Sequence, residues 1–123
     1  MHEFSIVQNL IDLVEKFASK NGADRVSKVV VSVGVLSGVE PHLLELAFET
    51  FKEGTVAEKA KIVIEVEKLK VRCFDCEQIL EKEEPNAICP LCGSLNTEVE
   101  GGDELILKSL ELEYEEKEAQ DKS

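Results

Sequence analysis

Residues 72–93 read RCFDCEQILEKEEPNAICPLCG, and this stretch decides how the rest of the chain is divided. It holds all four cysteines as two CxxC pairs, Cys73/Cys76 and Cys89/Cys92, with twelve residues between Cys76 and Cys89. A CxxC turn can present two thiolates to one ion, and two such turns facing each other give the tetrahedral four-sulfur site that zinc favours. Pro90 presets the second turn, and Gly93 can take the positive φ that such knuckles use. A rubredoxin-like iron site and a redox dithiol are the competing readings. A unit of roughly 20 residues buries too little apolar surface to fold alone, so metal binding supplies much of its folding free energy. With four protein ligands no position is left for water or substrate, which marks a structural zinc and not a catalytic one.

Outward from this stretch the pattern is that of a small α+β domain. Ile62, Ile64 and Val66 alternate with polar residues, so a strand is expected from about Ala60 to Val71. Its apolar phase changes at Leu69 and Val71, as at a bulge or a handover to a different packing unit. After Gly101-Gly102 the segment ELILKSLELEY reads as a last strand, with Ile106, Leu110, Leu112 and Tyr114 in one phase. The cysteine unit is therefore an excursion from a domain that the chain leaves near Leu69 and rejoins near Glu104.

Upstream, Phe4, Val7, Leu10, Ile11, Val14, Phe17 and Ala18 recur at helical spacing up to the Asn21-Gly22 stop. SKVVVSVGV is rich in β-branched residues and reads as a strand. A second helix starts at Pro41 behind Glu40, carries Leu43, Leu44, Ala47, Phe48 and Phe51 on one face, and ends by Gly54. The expectation is two helices packed on a small, about three-stranded mixed sheet, with an inserted zinc-ribbon-like domain built on the four cysteines. Residues 1–70 plus 103–114 form the first domain, 71–102 the second, and 115–123 a disordered acidic tail.

Composition narrows the function. The 123 residues carry 26 Asp+Glu against 14 Lys+Arg, a formal charge of -12, of which -4 lies in residues 111–123. Such a surface repels phosphate backbones. Between Cys73 and Gly93 the acids Asp75, Glu77, Glu81, Glu83 and Glu84 face a single base, Lys82. Four thiolates and a zinc ion add a further -2. No aromatic row for base stacking is present. The cysteine unit is thus not a nucleic-acid module. No apolar run reaches the length of a membrane span and no signal peptide is visible, so the expected address is the cytoplasm. No nucleophile–base pair stands out beyond a weak pairing of Ser37 with His42, and no enzyme is expected.

The chain opens MHEFS, with one of its two histidines at position 2. The α-amine of Met1, the peptide nitrogen of His2 and its imidazole can bind one ion in fused planar rings, an arrangement suited to Ni(II) or Cu(II) more than to zinc. The peptide nitrogen or the carboxylate of Glu3, or an outside group, can fill the remaining position. Glu40, beside His42 at the start of the second helix, is a further candidate, although a carboxylate there is also an ordinary helix-start charge.

MHEFSIVQNLI, VGVLSGVEP, LAFETFKEGTVAEKAKIVIE and the paired CxxC together resemble the hydrogenase/urease nickel-metallochaperone family HypA/HybF, over essentially the whole chain before the acidic tail. The resemblance implies a nickel-binding domain of two helices against a small sheet, with an inserted zinc domain. It implies a nickel site at the N-terminus around His2, with the adjacent Glu3. A loop carboxylate implicated in some members matches Glu40, commonly as Asp. The zinc ligands would be Cys73, Cys76, Cys89 and Cys92. It also implies delivery of Ni(II) during nickel–iron hydrogenase maturation together with a GTPase of the pathway, to the hydrogenase large subunit or its maturation complex. In some members urease and its accessory proteins are served as well. No GxxxxGK[ST] occurs here, so the chain is not itself that GTPase. The alternative reading is a zinc-ribbon protein-interaction adaptor without a dedicated nickel site.

Overall fold

The computed structural model describes residues 2–115, without the side chains of residues 2 and 3. Helix α1 (His2–Lys20) is followed by strand β1 (Arg25–Gly34), helix α2 (Pro41–Phe51), and strands β2 (Lys61–Glu67), β3 (Leu69–Cys73), β4 (Gln78–Lys82), β5 (Thr97–Gly101) and β6 (Leu105–Glu113). The strands form two three-stranded sheets, one ordered β2-β1-β6 and the other β4-β3-β5. In the first, β1 is central, parallel to β2 and antiparallel to β6. The second is wholly antiparallel. Two helices, a mixed three-stranded sheet and a four-cysteine excursion are what the sequence pattern predicts.

The core lies between the helices and the first sheet. Val7, Leu10, Ile11, Val14 and Ala18 of α1 are buried with Leu44, Ala47 and Phe48 of α2 and with Val26, Val29, Val31 and Val33 of β1. Period-four spacing on the helices and period-two spacing on β1 aim these side chains at one layer. Phe4, Phe17 and Leu43, expected on the apolar faces, are partly exposed. The Phe4 ring packs edge-on to Phe51 at 5.1 Å between centroids.

The α1 stop works as its residues dictate. Gly22 takes φ 67, its N–H donates to Ser19 O, and Ala23 N–H donates to Ala18 O, while the Asn21 side chain covers Phe17 O.

Two expectations change in detail. The single strand expected over 60–71 is broken at Lys68 into β2 and β3, which belong to different sheets, so the phase change at Leu69 is a handover. On β6, Leu105 and Leu107 pack against the core with Leu110 and Leu112, whereas Ile106 is exposed. The cause is a bulge: Val30 pairs with Ser109 and Val31 with Leu107, leaving Lys108 as the extra residue that inverts the phase. Strands β4 and β5 had no signature of their own in the acidic, loop-like sequence around the cysteines.

Of the expected tail, Glu115 is described, and its N–H donates to the Asp24 carboxylate. Residues 116–123 lie outside the described part.

Candidate metal sites

The four cysteines converge. Cys73 ends β3, Cys76 closes the first turn, and Cys89 and Cys92 come from the second turn between β4 and β5. All four sulfurs lie within 4.8 Å of one another, with Cys73 Sγ to Cys92 Sγ and Cys76 Sγ to Cys89 Sγ both at 3.7 Å. A disulfide needs about 2.05 Å between sulfurs. A tetrahedron of about 2.3 Å zinc–sulfur bonds has edges of about 3.8 Å. The spacing therefore fits a tetrathiolate zinc centre.

Both turns share one construction. The residue after the second cysteine of each pair is left-handed, Glu77 with φ 57 and Gly93 with φ 77. In the second turn, the N–H groups of Leu91 and Cys92 donate to Cys89 Sγ at 3.4 Å each. These N–H groups, Cys92 foremost, pull the Cys89 thiol down to about 6, while burial and the neighbouring sulfurs push Cys76 up to about 12. A hydrogen-bonded sulfur is thus ready as a thiolate at neutral pH, as a metal ligand must be.

The loop before the second turn is tied down by Lys82, the single base among the acids of this unit. Its Nζ is buried and donates to Asn86 Oδ1 and Ile88 O, the latter at 2.7 Å. Thr97 Oγ1 donates to Ala87 O at 2.6 Å, joining the same loop to β5. The sequence marked Lys82 as the lone base but not as a tether, since that role depends on the turn that brings the Ile88 carbonyl to its Nζ.

The N-terminal candidates are placed unequally. Met1 lies outside the described residues, and His2 and Glu3 form the first backbone positions of α1. Glu40 is the N-cap of α2: it has extended backbone, and its Oε1 accepts from Leu43 N at 3.0 Å. Phe4, in the first turn of α1, touches Phe51, at the opposite end of α2 from Glu40. The Ser37 hydroxyl accepts from Val39 N–H at 3.2 Å, within its own loop.

A small α/β sheet unit that carries a closed four-thiolate centre on an outgrowth from its own strands defines a metal-handling protein. The model of the family "Hydrogenase/urease nickel incorporation, metallochaperone, hypA" matches residues 1–112. The chain belongs to the HypA family, the nickel metallochaperones of hydrogenase maturation.

Similarity to individual members is high. The hydrogenase maturation factor HypA of Aquifex aeolicus is 64% identical over 115 residues, 94% of this chain and 100% of that protein. The HypA of Wolinella succinogenes is 47% identical over 116 residues, 94% of this chain and 98% of the relative. The solution structure of the nickel metallochaperone HypA from Helicobacter pylori matches with a TM-score of 0.69 at 36% identity, covering 92% of this chain and 98% of that one. Among the described residues no helix is long and apolar enough to cross a membrane.

Proposed function

We propose that nickel is carried at the N-terminus by the Met1 amine, the His2 peptide nitrogen and imidazole, and Glu3, and that Glu40, which caps the end of α2 opposite the Phe4–Phe51 contact, completes the set only once the first turn of α1 leaves Phe51. The observation that supports this is where α1 begins. A helical N–H at position i donates to the carbonyl at i−4, so in a helix from His2 the first N–H groups have no helical partner. The peptide nitrogen of His2 can therefore lose its proton to nickel without breaking a helix bond. The family model matches from residue 1, which supports this reading. Glu40 can take part while its Oε1 stays on the Leu43 N–H, because a carboxylate has a second oxygen.

On this reading the chain is a carrier and not an enzyme. Nickel bound on a helix terminus can be passed on by stepwise ligand exchange. Residues 1–70 plus 103–114 act as the nickel domain and 71–102 as a zinc domain that holds shape. The partners are the pathway GTPase and the hydrogenase large subunit or its maturation complex, with urease accessory proteins as a second client. Four thiols gathered for a metal and not paired as disulfides fit the cytoplasm.

The test is a nickel titration of the protein with its native terminus, beside His2→Ala and a variant with one residue added before Met1. Calorimetry gives affinity, and visible absorption separates planar from octahedral Ni(II). Loss of the tight site in both variants at constant zinc content is expected. Equal binding by all three would move the nickel ligands elsewhere.

A further inference from the structure

One acid in the cysteine unit stands apart from the others. Asp75 lies between Cys73 and Cys76, on the first turn, yet its partners are beyond the second. Its carboxylate accepts from the Ser94 hydroxyl and, at 3.2 Å, from Asn96 Nδ2. The Ser94 hydroxyl oxygen in turn accepts from Asn96 N–H at 2.9 Å. The backbone runs alongside: Phe74 N–H donates to Asn96 O and Cys89 N–H to Ser94 O, both at 3.0 Å. The 94–96 segment therefore holds a ligand-bearing turn on each side, and Asp75 is the side chain that closes the link.

Electrostatics makes this placement informative. A tetrathiolate zinc centre has a formal charge of -2, and a carboxylate flanked by two of its ligands is repelled by it. The hydroxyl and amide donors offset that repulsion. An acid kept at an unfavourable position by two directed donors is there for the geometry those donors fix.

We infer that Asp75 is a positioning residue of the zinc centre: through Ser94 and Asn96 it keeps the Cys89/Cys92 pair seated on the Cys73/Cys76 pair and so sets how slowly zinc leaves. Zinc leaves such a site one sulfur at a time. A broken zinc–sulfur bond re-forms if its turn stays in place, and is lost if the turn swings away. The inference rests on the four cysteines holding zinc, and the experiment keeps the two ideas apart.

The zinc-loaded full chain is mixed with excess 4-(2-pyridylazo)resorcinol at neutral pH, and the rate of metal transfer is followed by colour. Asp75→Ala and Ser94→Ala should each release zinc roughly tenfold faster, the scale of outer-shell effects at metal sites. Ser94→Thr keeps the hydroxyl and should release at the parent rate. The Asp75→Ala/Ser94→Ala double variant should be no faster than either single one, because one link is broken only once. The acceleration should be insensitive to urea below the unfolding transition, whereas release through general loosening would rise with urea.

Rates within twofold of the parent, a Ser94→Thr rate equal to that of Ser94→Ala, or a steep urea dependence would each overturn the assignment. If Asp75→Ala cannot be loaded, the Ser94→Ala and Ser94→Thr pair decides. One zinc per chain with unchanged rates would sink the positioning role alone, and a parent protein without bound zinc would sink the zinc reading and this inference with it.

Discussion

Gly34 and Gly102 meet backbone to backbone where β1 ends. A Cβ built on Gly34 would stand 2.3 Å from both the carbonyl carbon and the oxygen of Gly102. Gly102, at φ 83, is equally close on its other side, where a Cβ would lie 2.3 Å from Lys68 O. Main-chain bonds lace the same point: Gly34 N–H to Glu104 O, Val35 N–H to Glu67 O and Leu36 N–H to Gly102 O, between 2.8 and 2.9 Å. The chain thus leaves the first sheet and returns to it through one crossing, tied to the loop that leads into Glu40 and α2.

Gly34→Ala should test that crossing. The added methyl has only backbone to push against, so a loss of about 1–3 kcal/mol is expected in thermal or urea unfolding, together with altered relative orientation of the two sheets in residual dipolar couplings. Gly101→Ala is the control. A Cβ there meets only Lys70 Cβ at 3.8 Å, an ordinary contact. Equal stability for the two variants would mean that the crossing gives way without cost.

Glu40 carries a cap and, on the nickel reading, a ligand, and two substitutions separate these roles. Glu40→Gln keeps an oxygen for the Leu43 N–H but removes the charge; Glu40→Ala removes both. The alanine variant should lose about 1 kcal/mol of stability, as cap deletions do, with the glutamine variant close to the parent. Nickel affinity should fall by about tenfold in both. Parent-like nickel binding in Glu40→Gln would leave Glu40 as a cap alone.

Zinc uptake should show the unequal thiols. Each ligand must bind as thiolate, so affinity rises with pH and protons are released. With Cys89 drawn down to about 6, its proton is mostly gone at pH 7, while Cys76, pushed up to about 12, still holds its own. Calorimetry in two buffers of different ionisation enthalpy should therefore count fewer than four protons per zinc at neutral pH. As pH falls through 6, Cys89 takes its proton back, the count should rise and the affinity drop more steeply. A count of four at pH 7 would show that the Cys92 and Leu91 N–H groups do not favour the Cys89 thiolate.

What could be read from residues alone follows from the range of the physics involved. Val7, Leu10, Ile11 and Val14 repeat with the helical period, so α1 and its buried face were visible, whereas SKVVVSVGV showed a strand by its β-branched residues without showing that Val29, Val31 and Val33 are the buried set. The two CxxC pairs were visible because ligand chemistry demands that spacing. The Asp75–Ser94 and Lys82–Ile88 bonds were not, since each joins positions whose approach depends on turns already folded. Glu40 was legible both as a nickel candidate and as a helix-start charge, and its cap geometry answers to the second. The position of α1 against Phe51 also lay beyond reach, because a period fixes a face but not what the face meets.

The bulge on β6 is where local reading and tertiary pairing disagree, and it yields the most direct check of the sheet. Strict alternation groups Ile106 with Leu110 and Leu112, whereas the extra residue Lys108 puts Leu105 and Leu107 on the core side and leaves Ile106 43% exposed. A charge at 106 then points into water and should change stability by no more than about 0.5 kcal/mol. The same charge at 107 takes an apolar side chain from the packed face and presses an ammonium group toward it, for a loss of about 1–3 kcal/mol. Urea midpoints of Ile106→Lys and Leu107→Lys measure the difference directly. The opposite order would mean that β6 runs unbulged against β1, with Leu107 turned to solvent.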